Sequence, residues 1–109
     1  MVGAQRFLGF APFKKVAEQK NSIMKFCSPY DYHNWDIFSD IHFGGFGKIN
    51  NNLVKFTQQF KINYSIELDL VYMGKLFYSL FNLIDKNYFS KNTTIVVLHT
   101  GGLQRFNAY

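Results

Sequence analysis

Apolar residues recur at helical spacing in two stretches of the second half of the chain. Leu53, Phe56 and Phe60 lie at positions i, i+3 and i+7, and the asparagines at 50–52 are N-cap candidates, so the pattern predicts a helix there. Asn87 is suited to end a second helix in the left-handed conformation. This second helix has the broadest apolar face of the chain, formed by Leu76, Phe77, Leu80, Phe81, Leu83 and Ile84.

The remaining pattern predicts extended segments and one loop. The pattern of residues 6–11 predicts a strand. The segment that follows, as far as Phe26, has a modest apolar face at helical spacing and predicts a helix. Residues 27–48 lack periodicity and predict a loop rich in aromatic residues, whereas residues 66–71 alternate like a short strand or an extended link. Residues 94–98 are apolar or β-branched without interruption, which predicts a strand buried on both faces. Alternating strands and helices indicate an α/β fold with mostly parallel strands and crossover helices.

Composition narrows the class of protein. The chain has 109 residues, of which 48% are hydrophobic, so it has the size of one small domain and can bury a core. Its net charge is +5, but the lysines lie singly or in pairs, so we expect a solvated basic surface and no nucleic-acid partner. No apolar run approaches the length of a membrane span, and we expect no membrane association. The single cysteine, Cys27, suits a reducing compartment, so we expect a cytoplasmic protein.

Candidate chemistry lies where the last predicted strand ends. Residues 99–102 end in two glycines, which allow the backbone to turn sharply and to approach a ligand closely. Ligands of open α/β sheets lie beyond the carboxyl ends of strands, although a plain surface turn has the same pattern. The glycine-rich residues 43–47 are not preceded by a convincing strand, which argues against a phosphate-binding loop. His33 and His42 have no cysteine or carboxylate cage around them, so we expect no metal site.

Several motifs together resemble one enzyme family. Residues 68–75, the helix after them, residues 87–89 and residues 98–104 match, in order and spacing, the C-terminal part of 1-aminocyclopropane-1-carboxylate deaminase and D-cysteine desulfhydrase. These pyridoxal-phosphate enzymes carry an Asp-Pro-Val-Tyr-(Thr/Glu)-Gly-Lys stretch, a helix ending near Gly-Tyr-Phe, and a late His-(Thr/Leu)-Gly-Gly-Leu. Residues 43–48 are similar to a glycine–tyrosine motif upstream of these. The resemblance is clear over residues 43–104 and weak over residues 1–42.

The resemblance implies a fold, a cofactor and a substrate class. The family has the tryptophan-synthase-β-like fold of pyridoxal-phosphate enzymes (fold type II), with two α/β domains, and its members are much longer than this chain. Their Schiff-base lysine and phosphate-binding loop lie upstream of the matched motifs. We therefore expect residues 1–109 to be a C-terminal fragment of a deaminase or desulfhydrase acting on a small amino acid, such as D-cysteine or 1-aminocyclopropane-1-carboxylate. Such a fragment is expected to be inactive alone, and complete family members are expected to be homodimers.

The resemblance also assigns roles to four residues. Tyr72 matches the active-site tyrosine that faces the substrate, and Thr100 matches a threonine near the pyridine nitrogen of the cofactor. Gly101 and Gly102 would let the backbone pass close to the cofactor ring.

Four positions depart from the family pattern. Leu70 replaces the proline before Val-Tyr, and Arg105 replaces a glycine after Leu-Gln. Met73 stands where deaminases carry a glutamate and desulfhydrases a threonine, and Phe46 stands where the family usually has a second tyrosine. A thioether cannot hold the pyridine nitrogen protonated as a glutamate can. The alternative interpretation is a non-catalytic, basic binding or assembly module derived from this fold.

Overall fold

The computed structural model describes residues 5–11, 16–38 and 49–102, which form a mixed α/β structure. Its elements, in chain order, are β1 (Phe7–Phe10), α1 (Val16–Cys27), β2 (Trp35–Phe38), α2 (Asn51–Tyr64) and α3 (Met73–Asp85).

The first three elements form a parallel strand–helix–strand unit. β1 pairs with β2 in parallel, with Phe7 opposite Trp35 and Phe10 opposite Phe38. This confirms the predicted first strand and a crossover connection, whereas β2 falls inside the segment predicted to be a loop. The crossover helix α1 has no buried residue, and Phe26 is 91% exposed, so its predicted apolar face covers no core within the described part of the chain.

The second half is built on α2 and α3, which pack against each other. Asn50 caps α2 as predicted, since its side-chain oxygen accepts a hydrogen bond from the N–H of Leu53 at 2.8 Å. Phe60 is buried between the helices, with its ring centroid 5.1 Å from that of Phe77 and 5.7 Å from that of Phe81. The predicted spacing of apolar residues on α2 therefore does face the core.

Asn87 ends α3 in the predicted left-handed conformation, with φ of 58°. The N–H of Tyr88 donates to the carbonyl oxygen of Leu83, and the N–H of Asn87 donates to that of Ile84, both at 3.0 Å. These two bonds satisfy carbonyl groups that the end of a helix leaves without intrahelical donors.

The prediction of a buried strand at residues 94–98 is wrong. Within the described ranges, β1 and β2 pair only with each other, and residues 94–98 belong to no sheet. Val96 and Leu98 are 83% and 76% exposed, because a run of apolar residues becomes a buried strand only where neighbouring strands exist to cover it. Residues 66–71 form a link and not a strand, and residues 68–71 in it are all buried.

Candidate functional site

Two of the motifs that carry the resemblance meet at the N-terminal end of α3. The backbone N–H of Thr100 donates to Sδ of Met73 at 3.5 Å, and the Thr100 hydroxyl lies 3.8 Å from the same sulfur, across a separation of 27 residues. Met73 is buried and Thr100 is exposed, so the contact joins the first turn of α3 to the surface. Sulfur is a weak acceptor, and the Thr100 hydroxyl can therefore exchange this partner for a better one at little cost.

Asp69 organises the start of α3 from inside the protein. Its side chain has no exposed surface, and one carboxylate oxygen accepts hydrogen bonds from the N–H groups of Val71 and Tyr72, at 2.9 and 2.8 Å. The other oxygen accepts from the N–H of Met73 at 2.9 Å. A carboxylate at this position accepts hydrogen bonds from N–H groups at the start of the helix that have no acceptor within it. Its negative charge is also favourable at the positive end of the helix dipole.

Two glycines allow the backbone to come close to Asp69. A Cβ added to Gly74 would lie 2.4 Å from the carbonyl oxygen of Asp69 and 2.9 Å from Cγ2 of Thr57. The N–H of Gly74 donates to that same carbonyl oxygen at 2.8 Å, so the first turn of α3 closes directly onto the preceding link. A Cβ at Gly102 would be 3.3 Å from Oδ1 of Asp69, which shows that the turn at residues 99–102 packs on the buried carboxylate.

The turn at residues 99–102 and the start of α3, with Asp69 between them, form a junction. The four residues assigned by resemblance belong to it. Gly101 and Gly102 have φ of 92° and 93°, values that residues with a side chain rarely adopt. Tyr72 is 38% exposed although its backbone N–H is held by Asp69, and Thr100 is exposed beside Met73. The structure thus brings together residues 72–73 and 100–102.

His99 connects the glycine turn to the link before α3. Its Nε2 lies 2.9 Å from the carbonyl oxygen of Glu67, and its Nδ1 accepts a hydrogen bond from the N–H of Gly101 at 3.1 Å. The ring also lies near Phe77 of α3, with 6.3 Å between ring centroids. The histidine therefore contacts the turn, the link and α3 at once.

Lys75, the lysine of the matched motif, is enclosed in the protein. Its side chain has no exposed surface, and burial lowers its pKa because desolvation disfavours the charged ammonium. A lowered pKa raises the fraction of an amine that is unprotonated and able to act as a nucleophile, but an amine without accessible surface cannot reach an aldehyde in solution. Lys75 is thus a structural lysine of α3.

Some sequence predictions concern parts of the chain outside the described residues. The glycine-rich residues 43–48, with Phe46, lie there, and so do His42 and residues 103–104. Among the residues that are described, no group of three or more histidine, cysteine, aspartate or glutamate side chains is placed to hold a metal ion. The helices in those same ranges include none that is long and apolar enough to cross a membrane.

Residue-by-residue reasoning gave no role to Asp69 and His99, which hold the junction together. An aspartate shortly before a helix is a recognised capping signal. That signal places the aspartate next to the first helical residue, and Asp69 lies four residues before Met73, so the signal does not identify it. No local pattern identifies His99, because its partner Glu67 is 32 residues away in sequence.

Comparison of the sequence with protein-family models finds no match, and comparison with curated proteins finds none either.

Proposed function

We propose that this chain forms the C-terminal part of a pyridoxal-phosphate-dependent deaminase or desulfhydrase with a tryptophan-synthase-β-like fold, acting on a small amino acid. One observation carries the proposal. Two motifs that resemble the family, and that are 27 residues apart, contact each other through Met73 and Thr100. Chance similarity in two separate segments gives no reason for the segments to meet, whereas a shared ligand site does.

Each residue of the junction has a defined task in this proposal. Tyr72 would contact the substrate, and the Thr100 hydroxyl would hydrogen-bond the pyridine nitrogen. The backbone of Gly101 and Gly102 would lie against the cofactor ring. When bound, pyridoxal phosphate supplies an electron sink for the carbanion formed at the substrate. One water would be consumed, and the products would be ammonia and a 2-oxo acid, with sulfide released in addition from a thiol substrate.

The junction fits part of such a site. Among the described residues, no heavy atom lies within 4 Å of a Cβ added to Gly101, so these residues leave space beside the backbone there. Thr100, which directly precedes Gly101, and Tyr72 are both exposed. The buried Lys75 does not fit the role of the lysine that bonds to the cofactor. In this proposal that lysine and the phosphate-binding loop belong to a part of the enzyme outside this chain.

Met73 narrows the chemistry within the family. A hydroxyl accepts from a protonated ring nitrogen or donates to a neutral one, so Thr100 tolerates either state and enforces neither. A glutamate at position 73 would favour the protonated nitrogen and strengthen the electron sink, which a thioether cannot do. The pair Met73 and Thr100 therefore favours elimination of a good leaving group, such as a thiol, over opening of a cyclopropane ring.

The exposed segment at residues 94–98 favours a second candidate, a non-catalytic assembly module. The segment belongs to no sheet, and Val96 and Leu98 are exposed on it, as expected of a surface that another polypeptide covers. This candidate predicts no specific affinity for pyridoxal phosphate.

Grafting the N-terminal part of a homologous deaminase onto this chain gives a protein in which both candidates can be tested. We expect a saturable change in cofactor absorbance on titration with pyridoxal phosphate. Thr100→Val keeps the shape of the side chain and removes one neutral hydrogen bond, which is worth about 0.5–1.5 kcal/mol. Turnover should then fall about three- to tenfold with the cofactor still bound. Met73→Glu should raise deaminase activity relative to desulfhydrase activity.

Thr93→Val is the matched control, because the Thr93 hydroxyl donates only to the nearby Ser90 carbonyl oxygen, at 2.6 Å, on the exposed stretch after α3. It should leave turnover unchanged. Absence of saturable cofactor binding would favour the assembly module. Binding that is intact, with Thr100→Val silent and Met73→Glu without effect, would mean that another group holds the ring nitrogen.

A further inference from the structure

His99 makes two hydrogen bonds whose direction is fixed by the chemistry of the partners. The Gly101 N–H can only donate, so Nδ1 of His99 must be unprotonated in order to accept from it at 3.1 Å. The Glu67 carbonyl oxygen can only accept, so Nε2, at 2.9 Å, must carry a proton. Both bonds exist together in one form of the ring alone, the neutral tautomer with its proton on Nε2.

The two bonds hold different parts of the chain. The bond from Gly101 lies within the turn and resembles an Asx-turn, in which a side-chain acceptor binds the N–H two residues later. The bond to Glu67 spans 32 residues and ties the turn to the link that leads into Asp69 and α3. One imidazole thus sets both the shape of the turn and its distance from the start of the helix.

We infer that His99 is a positioning residue, which holds residues 100–102 against the start of α3 through its neutral Nε2-protonated tautomer. Its importance for ligand binding rests on the proposed cofactor site, whereas the anchoring of the turn does not. Among the described residues, no heavy atom lies within 4 Å of a Cβ added to Gly101, and its N–H donates to His99, which is tied in turn to Glu67. Without these two bonds Thr100 would keep its contact with Met73 and lose a fixed orientation relative to the two glycines.

Two substitutions separate the two bonds. Asparagine places its side-chain oxygen near the position of Nδ1, so His99→Asn keeps an acceptor for the Gly101 N–H and loses the donor to Glu67. Glutamine places its amide nitrogen near the position of Nε2, so His99→Gln keeps the donor and loses the acceptor. His33 is also exposed, and it pairs instead with Asp31, so the same substitutions at His33 serve as matched controls.

The tautomer can be observed in the unaltered chain. Long-range proton–nitrogen NMR correlation distinguishes protonated from unprotonated ring nitrogens, and at neutral pH we expect Nε2 of His99 to be protonated and Nδ1 to be unprotonated. Residue-resolved hydrogen exchange measures the bond from Gly101. His99→Gln should speed exchange of the Gly101 amide about three- to tenfold, as expected for loss of a hydrogen bond of ordinary strength, and His99→Asn should not.

Pyridoxal phosphate added to the grafted protein, which supplies the Schiff-base lysine and the phosphate-binding loop, then separates the anchor from the proposed function. A cofactor-dependent change at Gly101 that is weakened by both His99 variants, and by neither His33 variant, would support the positioning role. Absence of any change on cofactor addition, with the expected tautomer and exchange rates, would count against the cofactor site and leave the anchor standing. The opposite tautomer, or equal Gly101 exchange in His99→Asn and His99→Gln, would overturn the inference.

Discussion

Asp69 gives the sharpest test of how the start of α3 is held. Its buried carboxylate accepts hydrogen bonds from the N–H groups of Val71, Tyr72 and Met73. We expect Asp69→Ala to lower the free energy of unfolding more than any other replacement of an acidic side chain by alanine among the described residues. The reason is that the other acidic side chains described in the structure are exposed to solvent.

The magnitude follows from the exposure of the three donors. Val71 and Met73 are buried, so in Asp69→Ala neither N–H can turn to water, and each costs about 1–3 kcal/mol when left without a partner. The N–H of Tyr72 belongs to a partly exposed residue, which water can reach. The expected loss for Asp69→Ala is therefore about 2–6 kcal/mol in the free energy of unfolding, the sum of the two buried donors.

Asp69→Asn should cost less. The asparagine oxygen can take the place of the carboxylate oxygen that serves Val71 and Tyr72, but its amide NH₂ then faces the N–H of Met73. One buried donor loses its acceptor, so the expected loss is about 1–3 kcal/mol. The predicted order of stability is wild type, then Asp69→Asn, then Asp69→Ala.

Urea unfolding followed by far-ultraviolet circular dichroism, at one chain concentration, measures these differences. Asp85, exposed at the opposite end of α3, is the matched control. A carboxylate at the negative end of the helix dipole is unfavourable, so Asp85→Asn should be neutral or stabilise the chain by about 0.3–1 kcal/mol. If Asp69→Ala were within about 0.5 kcal/mol of wild type, the range typical of surface substitutions, the capping role would be refuted.

Three further predictions concern the same region and the exposed segment. Gly74→Ala should destabilise the chain by about 1–3 kcal/mol, because the added Cβ would overlap the Asp69 carbonyl oxygen. Alanine has the better helix propensity, so a variant that is more stable than wild type in urea unfolding would contradict this prediction. Burial lowers the pKa of Lys75, so the unfolded chain holds that proton more tightly than the folded chain. The free energy of unfolding should therefore rise with pH between the lowered pKa and the ordinary lysine value. In Lys75→Met, urea unfolding across that pH range should show a smaller rise in the free energy of unfolding. Val96→Ser with Leu98→Ser should reduce the fluorescence of a bound hydrophobic dye, and an isolated chain that is monodisperse, melts cooperatively and binds no dye would count against the fragment hypothesis.

The helices of the second half could be predicted from sequence because their signals are local. The spacing of Leu53, Phe56 and Phe60 and the cap at Asn50 are contained within one segment, as is the left-handed Asn87. Local hydrogen bonds and one apolar face suffice to specify such elements. The start of α3 was the exception, because the buried cap Asp69 lies four residues before Met73.

The strands were harder to predict because a strand depends on its neighbours. β2 has four residues, including the exposed Asp36, and lies among aromatic residues, so no clear alternation marks it. Residues 94–98 have the strongest strand signal in the chain and form no strand within the described ranges. Apolar and β-branched composition predicts that a segment can be buried in a sheet, and the presence of a partner decides whether it is.

The grouping of Tyr72, Met73 and Thr100 was accessible from sequence only through the resemblance. Nothing in the spacing of residues 68–75 and 98–102 requires them to meet, because loop lengths constrain distances weakly. The contacts that bring them together involve Sδ of Met73, the Asp69 carboxylate and the His99 ring. Each of these groups belongs to one segment, and the sequence of that segment alone does not show which group of the other segment it contacts.

Asp69 and His99 restrain the same turn, but replacing them has different consequences. Asp69 is buried and also caps α3, so its variants change the stability of the helix together with the position of Gly102. His99 is exposed and its two bonds lie outside α3, so its variants can move the turn while the helix stays capped. In a test of the proposed cofactor site, a loss of binding in an Asp69 variant therefore reports on folding as much as on that site. The same loss in a His99 variant of unchanged stability reports on the geometry of residues 100–102 alone.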